Sequence, residues 1–237
     1  MGIMQSALKL IYPDQCVACG TMVEGAHGLC SKCWRDTPFI TGLRCQTCSQ
    51  PLLGDSGDEA ATCDDCLAVE RPWTAGRAAL LYEGSARRMI LGLKHSDRTD
   101  LVKPAARWMV DCGGDLLSGT AVLVPIPVHW QRLLRRRYNQ AAELAREIGA
   151  LTGMDVDVEA LVRTRRTKIQ DGMTVEERRL NLSGAISAAK TLSRKDIVLV
   201  DDVMTTGATL SEAAKACHAA GANRVSVLVL ARVAKSP

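Results

Sequence analysis

The sequence predicts an α/β protein: a parallel sheet with helices on both faces, preceded by a small module unable to form a core of its own. Three observations carry this. From Trp73 onward, apolar runs of strand length alternate with segments of helical periodicity, the pattern of a doubly wound sheet. Before that point, residues 14–67 are poor in large apolar side chains, are punctuated by Gly and Pro, and hold eight of the ten cysteines. Charge divides at the same place: residues 1–67 hold four basic and eight acidic side chains, a balance of −4, which leaves +8 for the rest of a chain whose net charge is +4. The expected domains are residues 1–70 and residues 71–237. At 237 residues, 47% hydrophobic and 24% charged, the chain suits one ordinary domain plus something smaller, and its composition is unlike disordered material.

Within the first module, Ile3, Met4, Ala7, Leu8 and Ile11 lie at helical spacing and predict a short helix ended by Pro13. The cysteines then form four CxxC pairs: Cys16/Cys19, Cys30/Cys33, Cys45/Cys48 and Cys63/Cys66. Two residues between thiolates let a tight turn aim both sulfurs at one ion, and two such turns close a tetrahedral site. We read two structural zinc ribbons in series, Cys16, Cys19, Cys30 and Cys33 on one ion and Cys45, Cys48, Cys63 and Cys66 on the other. Spacing alone also allows a cross-braced pairing, although the short intervening loops favour the serial one. Four thiolates leave no open position for catalysis, so the metal's role is to fold a module too small for a core. Residues 52–62 read as a loop. Cys112 and Cys217 stand alone and read as buried small hydrophobes.

In the second part, strands are expected at residues 78–82, 121–128, 158–162, 197–200 and 225–230, and helices at 85–93, 101–112, 139–151 and 210–220. The most informative stretch is Ile197-Val198-Leu199-Val200-Asp201-Asp202-Val203-Met204-Thr205-Thr206-Gly207-Ala208-Thr209-Leu210. Two carboxylates close an apolar strand, at the end where open α/β sheets bind ligands. A small, hydroxyl-rich loop then opens a helix. Its backbone N–H groups from Met204 to Thr209, the Thr205, Thr206 and Thr209 hydroxyls and the helix dipole suit a phosphate monoester. Asp201 and Asp202 suit vicinal ribose hydroxyls, with Mg²⁺ balancing the charge nearby. No GxxxxGK occurs, which argues against a Walker-type site.

Two basic segments accompany this loop. Arg132, Arg135, Arg136 and Arg137 follow a predicted strand end and suit a pyrophosphate, because guanidiniums clamp such groups bidentately and four cations in six residues repel without an anion. Arg163, Arg165, Arg166 and Lys168, then Gln170, lie in a polar stretch that reads as a lid. The same cations suit a nucleic-acid backbone. Only eight aromatic residues occur, which counts against base stacking.

The segment 197–209 resembles the 13-residue phosphoribosyl pyrophosphate (PRPP) motif of type I phosphoribosyltransferases. With the cysteine-rich front, the order of parts is similar to the ComF family, competence-associated phosphoribosyltransferase-like proteins. The likeness runs through the knuckle at 13–19, Leu-Leu-Tyr-Glu-Gly…Leu-Lys at 80–94, residues 125–140 and 170–181, and the PRPP motif. Where the family often has Arg-Gly-Phe-Asn-Gln, this chain has Arg137-Tyr138-Asn139-Gln140, without the glycine. The resemblance implies a type I phosphoribosyltransferase-like sheet with a double zinc ribbon before it. It implies PRPP contacts at Asp201, Asp202, Met204, Thr205, Thr206, Gly207, Ala208 and Thr209, with Mg²⁺ accompanying PRPP. Pyrophosphate or lid candidates are Arg135, Arg137, Asn139, Gln140, Lys168, Gln170, Arg178 and Asn181. The implied function is phosphoribosyl transfer to an unnamed acceptor in connection with DNA uptake. The alternative is a non-catalytic PRPP- or single-stranded-DNA-binding accessory protein of a DNA-uptake helicase. No secretory signal and no apolar run of membrane-spanning length is visible, so a cytoplasmic protein with no membrane partner is expected.

Overall fold

The computed structural model describes residues 14–23, 25, 28–54, 61–95, 98–128, 138–165 and 183–234. The expected helix at 3–11 and most of the 52–62 loop lie outside these residues. The cysteine module contributes two short helices, α1 (Ser31–Asp36) and α2 (Asp64–Ala68). The second part supplies β1 (Ala75–Leu81), α3 (Gly84–His95), α4 (Val102–Gly113), β2 (Val122–Pro125) and α5 (Gln140–Thr152). It continues with β3 (Leu161–Arg163), β4 (Ile186–Ala188), β5 (Asp196–Met204), α6 (Ala208–Ala219) and β6 (Arg224–Arg232).

Four strands form a parallel sheet in the order β1-β6-β5-β2, and β3 and β4 pair antiparallel beside it. The unbroken apolar runs of the central strands follow from burial on both faces. In β5, Ile197 and Leu199 enter one core while Val198 and Val200 enter the other. The two faces are covered by different material. Three helices, α3, α4 and α5, close one side. On the other, α6 supplies Leu210, Ala213, Ala214 and Cys217, and the β3–β4 pair and the buried Cys45, Cys48 and Cys63 complete the cover. The second cysteine group is thus part of the sheet's own core.

The module also covers the outer edge of β1. Ile40 N–H donates to the Ala79 carbonyl at 2.9 Å, Leu81 N–H to the Pro38 carbonyl at 2.9 Å and Gly76 N–H to the Gln46 carbonyl at 2.8 Å. A Cβ on Gly76 would collide with the Thr47 carbonyl, so this approach requires glycine.

Several boundaries differ from those expected, each for a local reason. Strand β1 starts at Ala75, three residues early, because its polar first half is held against the cysteine module. The prolines at 125 and 127 offer no N–H, and β2 ends at Pro125 rather than continuing to residue 128. Strand β5 continues four residues beyond Val200, paired with β6 through Asp201↔Val229 and Met204↔Arg232, so the two carboxylates lie inside the strand.

Candidate functional site

The eight paired cysteines gather into two groups, Cys16, Cys19, Cys30 and Cys33, and Cys45, Cys48, Cys63 and Cys66, with the sulfurs of each group within 4.8 Å of one another. Four sulfurs about 2.3 Å from a tetrahedral Zn²⁺ stand about 3.8 Å apart. The Cys19–Cys30 sulfur distance is 3.8 Å and the Cys48–Cys63 distance 3.5 Å. Donor chemistry and spacing therefore fit one zinc ion per group, with the pairs in series. The first CxxC of each group turns in the same way: Gly20 and Ser49 N–H donate to the Cys16 and Cys45 carbonyls, both at 2.8 Å. The residue after each turn is left-handed, Gly20 at φ 77° and Ser49 at φ 58°. The second CxxC of each group opens α1 or α2.

Thiols this close cannot all ionise without a cation. Hydrogen bonding from Cys48 pulls Cys45 down to about 4, while Cys48 is pushed up. The first group is open to solvent, with Cys19 exposed, whereas three of the second group's four cysteines are buried. Burial pushes the thiols of Cys112 and Cys217 up to about 12; Cys217 is buried as expected, whereas Cys112 is only half-buried.

The strand–loop–helix segment lines an open concavity with Asp201 and residues 203–210; Asp202 is not among its lining residues. Gly207 caps α6 at φ 78°, ψ 8°, a left-handed turn that leaves the N-terminal amides of the helix facing the concavity. Thr206 Oγ1 accepts from Ala208 N–H at 3.4 Å, and Ser211 N–H donates to the Gly207 carbonyl at 2.8 Å. Thr205 is exposed, Thr206, Ala208 and Thr209 are half-buried, and Met204 is buried in the core, so only the backbone of Met204 can meet a ligand.

Asp201 Oδ1 accepts from Asp202 N–H at 2.8 Å, and Asp202 Oδ1 lies 3.0 Å from Lys94 Nζ. Burial, then the Asp202 carboxylate, pushes Asp201 up to about 7; Lys94 and Arg163 pull against that rise. Lys94 is the residue that reasoning from sequence missed as part of the site. It stands in the last turn of α3, 108 positions before Asp202, and no spacing rule joins the two.

Of the other candidates, Arg135, Arg137, Lys168, Gln170, Arg178 and Asn181 lie outside the described residues, as do Arg132, Arg136 and Arg166. Asn139 and Gln140 are engaged in fastening the sheet to its helices. Asn139 Oδ1 caps α5 by accepting from Ala141 N–H at 3.1 Å, and its Nδ2 donates to the Ile126 carbonyl at 3.0 Å. Gln140 is buried and donates to the Leu93 carbonyl at 3.4 Å, which Tyr138 Oη also reaches at 2.6 Å. Arg163 is half-buried in β3, near enough to Asp201 to favour its ionised form.

The loop rests on residues that join the two parts of the chain. Arg71 Nη1 donates to the Thr206 carbonyl at 2.9 Å, and the Arg71 guanidinium lies 5.6 Å from the Trp73 ring centre. Trp73 is buried, and its indole N–H donates to the Thr47 carbonyl, within the Cys45–Cys48 turn, at 2.7 Å. Nearby, the buried Arg232 donates to the Cys48 carbonyl at 2.7 Å and to Gln50 Oε1 at 2.8 Å.

Residues 7–67 match the double zinc ribbon domain, and residues 137–237 match the phosphoribosyl transferase domain. The sheet is accordingly of phosphoribosyltransferase type, preceded by two zinc-ribbon clusters. The chain is 30% identical over 232 residues to the DNA utilization protein YhgH of Escherichia coli, covering 94% of this chain and 99% of that one. It is 28% identical over 231 residues to competence protein F of Haemophilus influenzae, covering 92% and 96%. A hypoxanthine phosphoribosyltransferase structure from Staphylococcus aureus covers 58% of this chain and 64% of that one at 13% identity, with a TM-score of 0.33. No helix among the described residues is long and apolar enough to cross a membrane.

Proposed function

Because the chain belongs to the ComF/YhgH family of competence and DNA-utilization proteins, we propose that it binds PRPP at the β5–α6 loop and transfers the phosphoribosyl group to an acceptor. The observation that carries this reading is that Asp201 and a hydroxyl-lined helix N-terminus line one concavity, with Asp202 beside Asp201 in the strand and paired to Lys94. The amides and hydroxyls from Thr205 to Thr209 hold the 5-phosphate. Asp201 and Asp202 accept from the ribose hydroxyls, and Lys94 holds Asp202 in place through an ion pair at 3.0 Å. The oxygen-only donors at Asp201 and Asp202 suit a hard cation such as Mg²⁺, which when bound with PRPP supplies charge neutralisation at the pyrophosphate. In the reaction the bond from C1 to pyrophosphate breaks, the acceptor forms its bond to C1, and pyrophosphate leaves with the bonding electrons.

The test is calorimetric titration with magnesium–PRPP, followed by product analysis against nucleobases and amines. Binding by the native protein and its loss in the Asp201→Asn/Asp202→Asn variant support the reading; absence of binding by the native protein sinks it. A second reading, an accessory protein that contacts single-stranded DNA, rests on the +8 balance of residues 68–237. It requires DNA affinity that falls steeply with salt. Turnover with any acceptor together with salt-independent DNA binding removes it.

A further inference from the structure

The phosphate loop sits on the second zinc ribbon, and two residues outside the PRPP motif make the connection. Trp73 is tied by its indole N–H to the Thr47 carbonyl in the Cys45–Cys48 turn. Its ring lies so close beneath the loop that a Cβ on Gly207 would meet Trp73 Cη2 at 3.0 Å and Arg71 Nη1 at 3.4 Å. Arg71 extends from the end of the ribbon to the Thr206 carbonyl at 2.9 Å. Two links, Trp73 to the Cys45–Cys48 turn and Arg71 to the Thr206 carbonyl, therefore meet beneath Gly207. The first group has no such link to the loop among the described residues.

We propose that Arg71 and Trp73 are positioning residues for the phosphate loop, and that through them metal in the second cysteine group sets the geometry of that loop. A tetrathiolate around Zn²⁺ fixes the Cys45–Cys48 turn to which Trp73 is tied, and the Trp73 ring backs the Arg71 guanidinium at 5.6 Å. Loss of that metal frees the turn that holds Trp73, so the Arg71 guanidinium packed on that ring no longer presents a fixed donor to the Thr206 carbonyl. The effect on PRPP rests on the function proposed above; the effect on the loop does not. By linkage, a ligand held by the loop stabilises the same metal.

The experiment uses the full-length protein. Hydrogen–deuterium exchange is followed in a peptide covering residues 203–210 and in a control peptide from α4, before and after partial zinc removal by a chromogenic chelator. Exchange of the loop is expected to quicken roughly tenfold on loss of the slower-leaving zinc and in Arg71→Gln, with the α4 peptide unchanged. Arg71→Lys keeps the charge without the fork and is expected to fall between. Magnesium–PRPP is expected to slow departure of the second zinc and to bind Arg71→Gln roughly tenfold more weakly. Unchanged loop exchange, both in Arg71→Gln and after loss of the second zinc, overturns the proposal. If the native protein fails to bind PRPP, the proposed function falls and the exchange result alone decides this one.

Discussion

Asp201 is a carboxyl group held against its preferred ionisation. Its folded pKa of about 7 stands above the ordinary value of 3.8, so between those limits the folded chain binds a proton that the unfolded chain releases. Stability from this group is fully present below about pH 4, declines as pH rises, and is lost above about pH 7. At about 1.4 kcal/mol per unit, the window spans a few kcal/mol. Thermal melts from pH 5 to pH 8 are expected to show the native protein losing several degrees relative to Asp201→Asn. Lys94 acts oppositely: Lys94→Met leaves the Asp202 side chain, 12% exposed, without its cation and is expected to cost about 2–3 kcal/mol by denaturant unfolding. Ser49 carries a subtler load. Its hydroxyl accepts from Ala78 N–H at 2.9 Å and donates to the Gly76 carbonyl at 3.3 Å from a left-handed backbone. Ser49→Ala, which keeps the strain and loses both bonds, is expected to cost about 2 kcal/mol, and Ser49→Gly less. The aspartates and threonines were legible from sequence because they lie within one 13-residue run. Lys94, Arg71 and Trp73 were not, because their roles arise only when distant segments pack.

At the level of elements, alternation of apolar runs and helical spacing located every strand of the main sheet and four of the six described helices. The exceptions have physical causes. Strand β4 is three residues long, too short for periodicity to register. The six- and five-residue helices α1 and α2 are set by the second CxxC of each ribbon and bury no residue fully, so they carry no apolar stripe to read. The turn between β5 and α6 is the most sensitive junction. Gly207→Ala adds a side chain to a left-handed residue 3.0 Å from Trp73; we expect a stability loss of about 1–3 kcal/mol and a weaker phosphate site, checked by melts and calorimetry. The two ribbons are expected to separate under chelation. The exposed first group releases zinc in a fast phase and the buried second group in a slow one, measured with a metal-sensitive dye.

For the whole molecule, a net charge of +4 hides a balance of −4 in residues 1–67 and +8 in residues 68–237. What composition and motif could not convey is how little independence the two parts have. The second ribbon supplies Cys45, Cys48 and Cys63 to one face of the sheet, and Arg232 in β6 is buried against Cys48 and Gln50. Residues 71–237 produced alone are therefore expected to lack cooperative unfolding, with dye-accessible apolar surface and loss of near-ultraviolet dichroism, because that face and the edge of β1 stand open to water. A cooperative melt matching the full chain would show the ribbons to be dispensable for folding.

The cover over β1 also bears on the order in which the chain is made. Strand β1 pairs with β6, and Ala75 and Ser226 are neighbours, so β1 leaves the ribosome with its partner about 150 residues behind. At about 5–20 residues per second, that is roughly 8–30 s of exposure for an apolar strand. The ribbons precede β1, and four thiolates can take up zinc without waiting for anything downstream. A zinc-loaded ribbon is therefore expected to shield one edge of the nascent strand during translation, and synthesis with and without zinc, followed by the soluble yield, checks it.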